Sequence, residues 1–141
     1  MLRLLAFTAA LLISAPSAAV SCGGQRSVKQ KYSAAQDVFS ARVEDIYVAP
    51  GFGRDDFHFA KLRIIEVWKG SLKPGDVVST TAEDSIHFVS DGFVPQQGSD
   101  VLAYTGGTQP FVLGACSGSA PLDSAHDLPA LQKLSKHKHG G

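Results

Sequence analysis

Cys22 and Cys116 are the residues of this 141-residue chain with the widest choice of chemistry. In a reducing compartment either could be a thiolate nucleophile; in an oxidising one, two cysteines pair. A nucleophilic Cys22 would need a histidine and an orienting asparagine, and the chain contains no Asn. A bond between the two would close a loop of about ninety residues, for which the chain-entropy estimate gives an upper figure of about 4 to 5 kcal/mol. A Cys22–Cys116 disulfide is the expected pairing, with a free nucleophilic Cys22 as the alternative.

The other chemically capable residues do not assemble into a site. His58, His87 and His126 are scattered without ligand spacing, and His137 and His139 are flanked by Lys136 and Lys138, which repel a cation. Asp55-Asp56 and Glu83-Asp84 are adjacent carboxylates, and adjacent side chains of an extended segment point to opposite sides, so neither pair is an acid/base couple. Trp68 sits among Ile64, Ile65 and Val67 and reads as core. The expectation is a protein with no catalytic residues, no cofactor and no metal site of its own, hence not an enzyme. Thirteen basic and thirteen acidic residues cancel, no basic stripe stands out, and nucleic acid is excluded as an expected partner.

The N-terminus reads as a cleaved leader. Met1-Leu2-Arg3 carries one positive charge, residues 4–13 form an apolar run too short to span a bilayer, and residues 14–19 are small and turn-prone around Pro16. Ser17-Ala18-Ala19 places small residues where the peptidase inspects them, so the expected cut follows Ala19 and the mature chain begins Val20-Ser21-Cys22. A cut after Ser21 is the alternative, and a lipoprotein would need that register. Ala19 is a poor match to the aliphatic residue expected three places before a lipidated cysteine. The expected location is secreted or periplasmic, with no integral membrane span.

About 120 residues remain, enough for one domain. Residues 37–48 alternate Phe39, Ala41 and Val43 against Ser40, Arg42 and Glu44, the period of a half-buried strand. Residues 57–68 predict a second strand, apolar on both faces toward its end, as where a strand enters a barrel covered from outside. Further strands are predicted at 77–81, 101–105 and 111–116, separated by Gly and Pro turns, with a looser stretch at 82–100. Leu128, Leu131 and Leu134 recur at helical spacing, with Asp127 as cap and Pro129 in the first turn. The fold class is therefore mainly β, a five-stranded Greek-key barrel of OB type with a C-terminal helix, over residues 20–135 and with a flexible polar tail at 136–141. An immunoglobulin-like sandwich is the second choice, but Cys22 precedes every predicted strand.

The ordered features extend across nearly all of the mature chain. A Ser-Cys opening, Ala35-Gln36-Asp37-Val38-Phe39-Ser40-Ala41-Arg42-Val43, Ile65-Glu66-Val67-Trp68-Lys69-Gly70, Thr81-Ala82, Gly98 before Val101-Leu102-Ala103-Tyr104, and Leu113-Gly114-Ala115-Cys116 follow one another. Together they resemble the inhibitory domain of tissue inhibitors of metalloproteinases and bacterial netrin-like domains. The resemblance implies an OB-type barrel and a free N-terminus that acts as the binding element. It implies that the α-amino nitrogen and carbonyl oxygen of Val20 chelate a partner's catalytic zinc, displacing its water, while Ser21 enters the specificity pocket. An α-amino group has a reference pKa of about 7.7 to 8.0, so losing its proton to a metal costs little near neutral pH. The resemblance also implies that the cysteine of the last barrel strand bonds to the third mature residue, which makes Val20 the first and agrees with the cut after Ala19.

Two departures stand out. The inhibitors open on a cysteine bonded to another beyond the third strand, whereas Val20 and the Ser85-Ile86-His87 stretch have none. Gly23 and Gly24 also replace bulkier residues, and one disulfide instead of three is expected to leave the ridge looser. Val20, Ser21, Cys22 and Gly23, with Ser85 and Ile86 of the neighbouring loop, form the expected partner-binding set. The expected partner is an extracytoplasmic protein, with a zinc metalloprotease as the sharpest candidate, bound by a monomer. The alternative is an extracytoplasmic scaffold module that takes a peptide, glycan or envelope component without inhibition.

Overall fold

The computed structural model describes residues 22–49, 57–81 and 93–138. Its elements run α1 (Val28–Ala34), β1 (Asp37–Ala49), β2 (Phe57–Lys69), β3 (Val77–Thr81), β4 (Asp100–Thr105), β5 (Ala120–Pro121), a 3₁₀ turn (Leu122–Ser124) and α2 (Leu128–Lys138). The fold is mainly β with a C-terminal helix, as expected. One antiparallel sheet holds five strands in the order β3-β2-β1-β4-β5.

The segment after β4 draws the two ends of that sheet together. Phe111 forms a parallel bridge to Thr80; the Thr81 N–H donates to its carbonyl and its own N–H to that of Ser79, each at 2.9 Å. Ten residues later the same segment lies against the opposite edge, where Ala120 and Pro121 pair with Leu102 and Val101. This connectivity is compatible with the expected OB-type barrel, since closure satisfies edges that an open sheet would expose.

The sheet buries apolar groups on both faces. Inside the curl, Phe39, Ala41, Val43, Leu62, Ile64, Val101, Ala103, Phe111 and Leu113 form one core. On the outer face, Val38, Trp68, Leu102, Tyr104 and Leu131 form a second, completed by Val28 and Tyr32 of α1 and Leu128 of α2. Double coverage explains why residues 38–41 of β1 are all buried although their types alternate. Register shifts at Val38/Phe39, Ser40/Ala41 and Val43/Asp45 mark irregularities that bend β1 around the barrel. Trp68 is core, as its neighbours predicted, and lies on the helix-covered side.

Three expectations need correcting. Residues 111–116 do not form a strand of their own; after the bridge at Phe111 the chain must cross from β3 to β4, and it does so through a turn at 114–119, with β5 only two residues long. Among the described residues there is no second sheet to make a sandwich, since the single sheet is closed by one crossing segment. A helix, α1, lies where no element was predicted. Ser27 and Gln30 build a reciprocal capping box there: the Ser27 N–H donates to Gln30 Oε1 (2.8 Å) and the Gln30 N–H to Ser27 Oγ (3.2 Å). Helix α2 begins one residue after Asp127 and continues to Lys138, so residues 136–138 are helical.

Candidate functional site

The residue just past the expected cut and the crossing segment of the barrel are covalently joined. Cys22 and Cys116 form a disulfide with Cα atoms 5.2 Å apart, and no cysteine is free. The pairing read from the sequence is therefore the one that forms. A nucleophilic Cys22 is not available in this state.

Cys116 is held by a short, heavily bonded turn. The N–H groups of Ser117 and Ser119 donate to Gly114 O (3.2 and 3.1 Å) and that of Gly118 to Ala115 O (3.0 Å). The Ser117 hydroxyl also donates to Gly114 O (2.7 Å), and the buried Ser119 hydroxyl accepts from the Tyr104 N–H (3.1 Å). The turn is thus stitched to β4 through side chains where strand pairing has stopped. Gly118 has φ +107°, and a Cβ there would lie 2.6 Å from Lys31 Cδ and 3.0 Å from Tyr104 Cδ2. Only glycine fits both the backbone and the space.

Beneath that glycine lies a polar cluster that ties the two helices to β4. Asp127, at the entry to α2, accepts from the Tyr104 hydroxyl (2.7 Å) and from Lys31 Nζ of α1, whose ammonium also stands 5.4 Å from the Tyr104 ring centroid. The Lys31 and Asp127 side chains are only 17% and 15% exposed, so the pair is well shielded from solvent. Burial, and then the hydrogen bond to Asp127 and its charge, push the Tyr104 phenol well above its ordinary range, so it stays a neutral donor. At the other end of α1, Lys69 Nζ donates to the carbonyls of Tyr32 (2.7 Å), Ser33 (3.2 Å) and Ala35, a cation placed at a helix C-terminus.

The arm between disulfide and helix is different in kind. Residues 22–27 are all exposed, Gly23 and Gly24 have φ +57° and +112°, and nothing lies within 4 Å of where their Cβ atoms would be. Among the described residues no hydrogen bond joins residues 23–26 to the barrel or the helices. A cleft of about 650 Å³ runs beside the arm, lined by Cys22, Arg26, Lys31, Cys116, His126 and Asp127 among others.

Of the expected binding residues, the structure brings Cys22, Gly23 and Cys116 to one place. Val20, Ser21, Ser85 and Ile86 lie outside the described residues, as do the leader, the two acidic pairs, His87 and His139. His126 lines the cleft and His58 lies on β2. Among the described residues no group of three or more His, Cys, Asp or Glu is placed to hold a metal ion, and no helix is long and apolar enough to cross a membrane. The disulfide is consistent with an extracytoplasmic protein. Lys31, Tyr104, Gly118 and Asp127 carry no local motif that marks them, since they meet only through tertiary contact. No family model and no curated protein matches the chain.

Proposed function

We propose that this protein is a secreted or periplasmic protein-binding module of the type of metalloproteinase inhibitors and netrin-like domains. Its binding residues are Val20, Ser21, Cys22 and Gly23 together with Ser85 and Ile86, and its target is the catalytic zinc of a metalloprotease, met by the backbone amine and carbonyl of Val20. The observation that supports this reading is the Cys22–Cys116 bond, which fastens the residue two places after the expected first residue to a rigid turn of the barrel. A terminus held this close to its anchor loses less freedom when it binds, which favours affinity.

A zinc endopeptidase panel assayed with two forms of the protein tests it. The form that starts at Val20 is expected to inhibit at least one member, and a form with one extra residue before Val20 is expected to lose that inhibition, because the added peptide bond removes the chelating amine. Equal behaviour of the two forms would overturn the mechanism. A second reading, a non-inhibitory interaction module, is favoured by the open space around Gly23 and Gly24, which rest on no neighbouring group beyond the one disulfide. Capture of an envelope partner that ignores N-terminal blocking would support it.

A further inference from the structure

Among the described residues the disulfide is the one bond that fastens the arm to the barrel, and it lies in the open. Cys22 is exposed, Cys116 is half-buried, and both line the cleft together with Arg26, Lys31 and His126. The arm has no hydrogen bonds of its own to the body among the described residues, whereas the barrel is closed by backbone pairing that does not involve either sulfur. Breaking the S–S bond therefore need not open the fold. Lys31 in the cleft is matched by Asp127 on the same wall, which leaves the Arg26 guanidinium to attract an anionic thiolate and stabilise the thiolate that leaves.

We propose that Cys22–Cys116 is a thiol-exchange site, reducible in the folded protein by an external dithiol, and that its reduction releases the arm from the barrel. A thiolate of the dithiol attacks Sγ of Cys22, the more exposed partner. The Cys22–Cys116 bond breaks, its electron pair leaves on Sγ of Cys116, and that sulfur takes up a proton. A mixed disulfide now joins Cys22 to the reagent. The reagent's second thiolate attacks its own sulfur in that bond, the electron pair leaves on Sγ of Cys22, and a second proton is taken up. The protein gains two electrons and two protons, and the dithiol becomes a disulfide. Where the ridge reading above holds, the released arm no longer presents Val20, so reduction switches binding off.

The chemistry is measured without any partner, which separates its failure from a failure of the ridge reading. The oxidised protein is treated with dithiothreitol under native conditions, and thiol alkylation, far-UV circular dichroism and tryptic cleavage after Arg26 are followed together. Expected are alkylation of both cysteines with an unchanged β spectrum, and cleavage after Arg26 faster by about tenfold or more, as for a segment that has lost its local protection. The Cys22→Ser/Cys116→Ser variant should be cut at the reduced rate without dithiothreitol. Thiols that become reactive only in step with loss of the β spectrum, or equal cleavage rates with and without reductant, would overturn the proposal. Reduced thioredoxin supplied at the same thiol concentration distinguishes a protein dithiol, if it reacts faster than dithiothreitol, from a small-molecule one.

Discussion

Tyr104 shows how one hydroxyl can serve both packing and position. Its phenol is neutral because it is buried and donates to Asp127, and its ring lies under Lys31 and against Gly118. The folded phenol titrates above the unfolded one, so its contribution to stability is fully present below about pH 10 and falls as pH rises beyond it, by at most about 1.4 kcal/mol per pH unit. Tyr104→Phe removes this titration. Urea denaturation of both proteins should therefore show the stability advantage of the wild type shrinking above pH 10, and a constant difference would contradict the placement of the phenol. Gly118→Ala should cost about 1 to 3 kcal/mol, because the new Cβ meets both a strained φ and the Lys31 stem; an unchanged denaturation midpoint would refute that packing. Cys22 and Cys116 were legible as a pair from compartment and count alone. The Lys31, Tyr104 and Asp127 cluster was not, because an ion pair between residues 96 apart leaves no trace in local spacing.

At the scale of elements, alternation located β1, and apolar or β-branched runs between Gly and Pro turns located β2 to β4, each to within a residue or so, while the leucine spacing located α2. Two elements escaped it for different reasons. Helix α1 is seven residues long, with none of them fully buried, too short for periodicity to declare itself. Its Ser27-x-x-Gln30 capping box was the available signal. Residues 111–116 are apolar because Phe111 and Leu113 fill the barrel, and such a run reads as a strand even where the backbone only crosses between edges. Helix α1 is held through Lys69, which gathers three carbonyls at its C-terminus, and through Lys31. Lys69→Met is expected to cost about 1 to 2 kcal/mol and to raise amide exchange across residues 28–34 while strands β1 and β4 keep their protection. Uniform loss of protection would show that the helix is not a separable unit. Leu131, fully buried on α2, should cost about 2 to 4 kcal/mol when cut to alanine.

For the whole molecule the decisive contrast is between a barrel closed by backbone pairing and an arm closed by one covalent bond. That contrast changes what the disulfide is worth. The full loop-closure figure of about 4 to 5 kcal/mol assumes that the reduced native state already holds the two sulfurs together. Here the released arm reaches only from Cys22 to the helix cap at Ser27, and it would regain much of its freedom in the folded state too, so reduction should cost only about 1 to 3 kcal/mol. Composition and strand count made the architecture readable, whereas the proposed start at Val20 rests on the leader pattern of residues 1–19 alone. Intact-mass analysis of the protein purified from its native source is the most direct measurement. A mass equal to residues 20–141 less two hydrogens is predicted; a chain that starts at Cys22, carries an acyl group, keeps its leader or holds two free thiols would contradict a tethered amine at Val20.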